Sequence, residues 1–250
     1  MKTARLILLY VSVAIGIIQL PSCAPAYVPN AFNIPLVKNE HQVSLAAFGG
    51  TNGFDAQVSG AVYKHLALMG NYSHANNPQT GKDSSGFRKH NFTEGGIGYS
   101  FLKEEKPICL EVYTGYGMGN SASRAASSGL YVNKGDVVSG DYSRYFLQAD
   151  FGFTSSIIEV GAAVRGSYVD FVNYSVDAGG SSKSYHNLAD WYIEPVGFVR
   201  VGYKFIKAQF QIGASLRSDF LSVPTPKFTS EPFYISGGLY FTLFRKWEKG

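Results

Sequence analysis

The residues most capable of covalent chemistry in this chain are a serine, two histidines and a glutamate. His90 and Glu94 are four residues apart and would share one face of a strand, while Ser73 and His74 belong to the preceding segment. A serine, a histidine and a carboxylate are the groups of an activated nucleophile and its base. The sequence around them, however, identifies neither a strained nucleophile turn nor an oxyanion donor. We therefore expect a histidine at the rim of the fold and a structural carboxylate, and we predict no catalytic residue.

A second candidate for chemistry lies near the N-terminus. A basic start is followed by an apolar stretch over residues 6–20, which is too short to span a bilayer comfortably, and then by Leu20-Pro21-Ser22-Cys23. This pattern resembles the lipobox of bacterial lipoproteins, with Pro21 as a departure from the usual small residue. The resemblance implies removal of residues 1–22 and acylation of Cys23. Several acyl chains, at roughly 0.8 kcal/mol per buried CH₂, would hold the terminus in a membrane.

Between this site and the body of the chain lies a proline-rich segment. Residues 23–39 contain Pro25, Pro29 and Pro35 and show no helical or strand period. We predict an extended tether between lipid and fold, with a reach on the order of 50 Å. The body is assigned to residues 40–244 and a basic C-terminal tail to residues 245–250.

The body predicts an all-β fold. Apolar and polar residues alternate from His41 onward, and no amphipathic helical period competes with them. Most of the alternating segments are long enough to cross a bilayer as tilted strands. The ten segments are 41–49, 55–63, 66–75, 90–101, 108–119, 142–153, 157–171, 190–203, 208–220 and 232–243.

The connections between these segments alternate in length. The short ones are 64–65, 103–107, 154–156 and 204–207. The long ones are 76–89, 120–141, 173–189 and 222–231, and only the first connection of this set, 50–54, is brief. A barrel inserted from one side of a membrane sorts its loops in this way. The sequence therefore predicts an antiparallel up-and-down transmembrane β-barrel of about ten strands, with eight strands plus a hairpin as an alternative because the first three segments are weakly apolar.

The two faces of the predicted strands differ in a way that favours the membrane. One face carries no charge and has aromatic residues near its ends, as interface belts do. We predict this belt at Tyr116, Tyr145, Phe153, Tyr168, Trp191, Tyr203 and Phe233. The other face carries acids and arginines in near balance, which should pair as a plug in a narrow, dry lumen. The predicted plug residues are Glu94, Glu111, Arg144, Asp150, Glu159, Arg165, Glu194, Arg200 and Arg217.

Composition narrows the classes of partner. The net charge is only +4, and no Lys/Arg cluster of the nucleic-acid type occurs, so we expect outer-membrane lipids and no nucleic acid as partners. Two cysteines, Cys23 and Cys109, make neither a disulfide framework nor a metal site, and we predict no cofactor. Long outer loops are where an extracellular or envelope protein partner would bind.

The stretches CAPAYVPN, NIPL, GFDAQVSGAVYKHLALMGNYS and HNFTEGGIGYSF are similar to those of uncharacterised outer-membrane barrel lipoproteins of the Bacteroidota. The resemblance implies a lipid-anchored, non-enzymatic barrel in the outer membrane, with a structural or binding role. Such barrels often end on an aromatic residue, whereas here RKWEKG follows Phe244. Two alternatives remain at this point. The first is a lipid-tethered, soluble, lipocalin-like barrel that holds an apolar ligand. The second is a barrel resembling the lipid A acyl hydrolases, with Ser73, a histidine (His90 or His74) and Glu94 as its candidate residues.

Overall fold

The structure is a computed structural model that describes residues 24–78, 86–101, 107–125, 133–218 and 228–243. These ranges form eleven strands and no helix. The strands are β1 (Val43–Gly50), β2 (Gly53–Tyr63), β3 (Leu66–Pro78), β4 (Phe87–Ser100), β5 (Ile108–Arg124), β6 (Val137–Thr154), β7 (Ile158–Ala178), β8 (Ser181–Tyr203), β9 (Ile206–Ala214), β10 (Leu216–Arg217) and β11 (Phe233–Leu243).

The strands form one closed antiparallel barrel. Each strand from β1 to β8 pairs with the next in sequence, β8 pairs with β9, and β11 pairs with both β9 and β1. β10 continues β9 along β8 in the same register, because Leu216 lies opposite Ile193 and Gly213 opposite Val196. The ladder is interrupted next to Pro195, which has no N–H to donate. Since β9 and β10 occupy one strand position, the barrel has ten strand positions. This confirms the predicted strand number and excludes a barrel of eight strands plus a hairpin.

The apolar side chains face outward and the charged ones face inward. Leu147, Ile193 and Val201 are more than half exposed, whereas their polar neighbours along the same strands are buried. Only a hydrocarbon solvent makes this arrangement favourable, since exposed apolar area of this extent is avoided in water. The alternative of a soluble barrel with an apolar centre is therefore wrong.

The barrel has two different ends. At one end the connections are tight, as at Lys64–His65 and at Lys204–Phe205, and this end also holds the start of β1 and the end of β11. We call it the short-turn end, and we call the opposite end the long-loop end. Trp191 and Tyr203 on β8 mark the two aromatic levels: twelve residues at ~3.3 Å, tilted by ~40°, separate them by about 30 Å, the thickness of a hydrocarbon core.

One predicted loop is in fact regular structure. The sequence assigned residues 173–189 to a long loop, but β7 and β8 continue to a two-residue turn at Gly179 and Gly180, both with positive φ. Cross-strand pairing of polar residues sustains this hairpin, and its polarity concealed the strand period. It projects beyond the aromatic level at the long-loop end. Among the described residues, no helix is long and apolar enough to cross a membrane.

Candidate functional site

The lumen of the barrel is occupied by the chain's own N-terminal segment. Residues 24–39 are all buried, and apart from an isolated bridge at Tyr27 they have no regular secondary structure. The N–H groups of Ala26 and Tyr27 both donate to Thr229 O at 3.0 Å, four residues before β11 begins. The segment then descends and leaves at the short-turn end, where it enters β1. The predicted tether is thus extended, but it lies inside the barrel; Cys23 itself lies outside the described residues.

Lumen side chains satisfy the backbone of this threaded segment one residue after another. The Gln211 amide donates to Phe32 O at 2.9 Å and accepts from Phe32 N–H at 3.1 Å, as a neighbouring strand would. Arg200 donates to Ile34 O at 2.5 Å and the Tyr240 hydroxyl to Pro35 O at 2.8 Å. Buried peptide groups need such partners, and an extended segment cannot supply its own. The polar lumen is therefore built to hold a peptide.

Glu111 holds the lower end of the segment. Its carboxylate accepts the N–H of Leu36 at 3.0 Å and the N–H of Val37 at 2.6 Å. On the neighbouring strand β6, Gly152 leaves room for the Leu36 side chain, because a Cβ at that position would lie 2.8 Å from it. The two features fix the height of the segment in the barrel.

Two acids of the predicted plug form ion pairs with buried cations. Glu94 contacts Arg144 and lies 3.4 Å from Arg165. Glu159 lies 3.1 Å from Arg200 and 3.0 Å from Lys207. All of these side chains are buried. A buried carboxylate without a cation beside it would be costly, and the nearby arginines and lysine offset that cost.

The other three acids depart from the expected acid–base pairing. Glu111, Asp150 and Glu194 are fully buried, and within the described residues none of them lies in an ion pair. Glu194 instead accepts hydrogen bonds from the hydroxyls of Tyr27 (2.8 Å), Ser167 (2.6 Å) and Ser215 (2.9 Å).

Asp150 accepts from the Gln148 amide at 2.8 Å, and that amide also donates to the threaded segment. Arg217 lies at the rim of the long-loop end, partly exposed, 3.8 Å from Asp190. Several of the predicted plug residues, among them Glu111, Arg144 and Arg200, thus bind the threaded segment directly.

Tyr27 ties the segment to both halves of the upper lumen. Its hydroxyl accepts from Arg144 at 2.8 Å and donates to Glu194 at 2.8 Å. Its ring packs against Tyr142 and Tyr192 at centroid distances of 5.8 and 4.9 Å. Nothing in the sequence period marks Tyr27, since it lies outside the alternating segments.

The seven predicted belt residues all face away from the lumen. Five are exposed, while Tyr168 and Phe233 are half-buried. Four of them form one row across neighbouring strands: Tyr116, Tyr145, Tyr168 and Trp191. Ring centroids in this row lie 4.9 Å apart within its first pair and within its last pair. Phe153 and Tyr203 lie toward the short-turn end, and Phe233 lies toward the long-loop end.

The serine–histidine set is only partly assembled. Ser73 Oγ lies 2.9 Å from His90 Nε2, and both side chains are buried and face the lumen. Among the described residues His90 Nδ1 has no hydrogen-bond partner, and Glu94 binds Arg144 and Asn71 instead. His74 is on the outer face and contacts Asn91 at 2.7 Å. The carboxylate that should orient the imidazole is thus absent from its place.

Sequence reasoning missed three groups of the lumen: Lys207, Asp55 and the backbone of the threaded segment. Lys207 was assigned to a short turn, although it shares a face with Gln209 and Gln211 and is buried against Glu159. Outside the membrane-spanning strands, burial raises the pKa of the Glu231 carboxyl above its ordinary value. The positive charge of Arg88, 2.6 Å away, offsets only part of this rise. The described residues contain no group of acids, histidines and cysteines that could hold a metal ion.

No family model matches this chain, and no curated protein matches it. Among solved structures the chain is similar to the translocator domain of the autotransporter NalP from Neisseria meningitidis, with a TM-score of 0.50 and 8% sequence identity. The similarity covers 82% of this chain and 88% of that chain. At this identity the likeness shows the fold alone, which is an outer-membrane-type β-barrel.

Proposed function

We propose that this protein is a non-enzymatic outer-membrane lipoprotein, whose barrel is closed by its own N-terminal segment. It acts through the long-loop end, as a binding or structural element of the cell surface. The observation that carries the proposal is the complete burial of residues 24–39 within a ten-stranded lumen. A barrel of this size has little space beyond its own side chains. With a peptide bound along its length, we expect it not to conduct.

The path of the segment also supports a proposal for the side of the membrane on which an anchor on Cys23 would lie. Ser123 donates to Pro25 O at 2.7 Å, and Ser123 is seven residues beyond Tyr116 on β5, or about 18 Å above the aromatic row. One peptide bond joins Cys23 to Ala24, a step of ~3.8 Å. A lipid on Cys23 would therefore start at the long-loop end, and the periplasmic leaflet, about 30 Å further below, would be out of reach. We propose that the anchor is on the cell-surface side.

Fractionation tests the barrel part of the proposal. We expect both the wild type and Cys23→Ser to stay with the outer membrane after carbonate washing, and to shift on gels between unheated and boiled samples. Release of Cys23→Ser by the wash would show that the lipid alone holds the protein. The lipid A of expressing cells should keep its mass, and loss or gain of an acyl chain would contradict the non-enzymatic role.

Epitope insertion tests the threading separately. A short epitope is inserted between Cys23 and Ala24, and antibody binding is measured on intact and on permeabilised cells. We expect binding on intact cells, as for the same epitope in the Gly179–Gly180 turn. An epitope in the Lys64–His65 turn should be detected only after permeabilisation. If the N-terminal epitope behaves like this last one, the threaded orientation is wrong.

A further inference from the structure

A polar cavity lies on the outer face of the barrel wall, above the aromatic row at the long-loop end. It has a volume of ≈ 370 Å³ and is lined by β5, β6, β7 and β8. Its base is a row of four side chains that are cross-strand neighbours: Asn120, Asp141, Asn173 and His186. A bulge between Asp141 and Tyr142 leaves Val172 unpaired and widens the wall at this level.

The side chains of the lining offer hydrogen-bond donors and acceptors. His186 Nδ1 lies 3.1 Å from Asn173 Oδ1, which fixes the ring and turns Nε2 away from Asn173. The side chains of Asn120 and Asp141 form no hydrogen bond or ion pair within the described part of the chain. The Tyr185 ring lies 6.1 Å from the ring of its cross-strand neighbour Tyr174, on the inner face of the sheet, so it is not part of the cavity surface. The Asn120 amide and the Asp141 carboxylate are free to bind a ligand.

We infer that this cavity binds the hydroxyl groups of a neutral sugar. Sugar hydroxyls both donate and accept hydrogen bonds, which suits a carboxylate, two amides and an imidazole. The lining contains no lysine or arginine, and Asp141 would repel a phosphate. A single carboxylate is too few for a calcium ion. The volume is at the low end of the ~300–1,000 Å³ of small-molecule sites, with room for a short oligosaccharide.

The height of the cavity suits a glycan at the membrane surface. Asn120 is four residues beyond Tyr116 on β5, about 10 Å above the aromatic row along the membrane normal. The sugar could belong to the headgroup of an outer-leaflet glycolipid or to a soluble extracellular glycan. Only the reading of the long-loop end as extracellular rests on the proposed function, because the site itself is a property of the folded barrel.

Binding is measured on the purified full barrel in detergent, by calorimetry, with two probes from the strain that produces the protein. The first is the neutral sugar fraction of the oligosaccharide released from its lipopolysaccharide, and the second is the neutral fraction of its extracellular polysaccharide. Binding of the first assigns the glycolipid headgroup, and binding of the second assigns the soluble glycan. If neither probe binds, the inference is wrong, whatever fractionation and epitope insertion have shown.

Substitutions locate the site. Asp141→Asn and Asn120→Ala should each weaken binding about tenfold or more, because the first removes the charged acceptor and the second removes an amide that both donates and accepts. Asp177→Asn is the matched control, since it makes the same change on β7 outside the cavity lining and should leave the affinity unchanged. Each variant must keep the gel shift between unheated and boiled samples. Equal affinity of Asp141→Asn and the wild type would overturn the assignment.

Discussion

Removal of Arg200 tests whether the lumen is as dry and as closely paired as its contacts indicate. Its guanidinium lies 3.1 Å from Glu159, donates to Ile34 O and lies 3.7 Å above the Tyr240 ring. In Arg200→Ala the carboxylate loses one of its two cations, and a buried carbonyl oxygen loses its donor. Breaking a buried ion pair costs ~3–5 kcal/mol. Since Lys207 stays 3.0 Å from Glu159, we expect a loss near the lower limit, ~3 kcal/mol.

The assay measures unfolding in urea of the protein in lipid vesicles. Unfolding is monitored by tryptophan fluorescence and by the gel shift of unheated samples. Arg217→Ala is the matched control, because it removes the same side chain from a partly exposed pair with Asp190 at the rim. At 3.8 Å this pair is looser than the pair of Arg200 and Glu159 at 3.1 Å, so we expect Arg217→Ala to cost less than Arg200→Ala. If Arg200→Ala lost no more than Arg217→Ala, water would have to replace Arg200 freely, and the description of a dry, closed lumen would be refuted.

Three further outcomes follow from the same contacts. Deletion of residues 24–38 should open a conductive path in planar bilayers, whereas the wild type should show none; equal silence of both would mean that the side chains alone close the barrel. Glu111→Gln should lower the free energy of unfolding in urea by ~2–3 kcal/mol. The amide oxygen of the glutamine can accept only one of the two N–H groups, and its NH₂ group would face the other N–H. An unchanged urea midpoint would contradict the role of Glu111. On β7, Val164→Arg at mid-membrane height should cost ~2–4 kcal/mol, and Val172→Arg, on the outer face above the aromatic row, close to none; similar losses at both would place the membrane elsewhere.

The barrel could be predicted from the sequence because each strand had to satisfy two solvents at once. A strand such as β6 alternates Leu147, Ala149 and Phe151 toward lipid with Gln148 and Asp150 toward the lumen. A one-residue slip would turn the apolar side chains to the lumen and the polar ones to the lipid, so the alternation fixes the register of the strand. Where the strands leave the membrane, as in β7 beyond Tyr168, lipid no longer demands an apolar face. The alternation fades there, so the sequence predicts a loop where the structure has a projecting hairpin.

The content of the lumen could not be predicted in the same way. The threaded segment has neither period, and its partners bind its backbone, which every sequence shares. A signal did exist in the strands themselves. The amides of Gln148 and Gln211 point into the lumen and have donors that a lumen filled only by arginine–carboxylate pairs would leave unsatisfied. In the structure they donate to carbonyl oxygens of the threaded segment. Five acids also faced four arginines, and Glu111, one of the acids that no cation claims, binds peptide N–H groups. Surplus lumen polarity indicates a missing polar partner.

The threaded segment further constrains how the barrel closes. Its contacts extend from Tyr27 near the top to Leu36 near the bottom, and the lumen between them is filled by buried Arg144, Arg165 and Arg200. An acylated N-terminus could pass through that charged interior only at a high desolvation cost. We therefore expect the barrel to close around the segment, with the seam between β1 and β11 forming after the segment is in place.

A peptide added in trans tests this order. A barrel that lacks residues 24–38 is refolded either with or without a synthetic peptide of residues 24–39, and its conductance is measured. We expect the peptide to block conductance when it is present during refolding and to have little effect when it is added to the closed barrel. The arginine layer holds the peptide in the first case and bars its entry in the second. A rapid block on late addition would show that the segment can thread into a finished barrel.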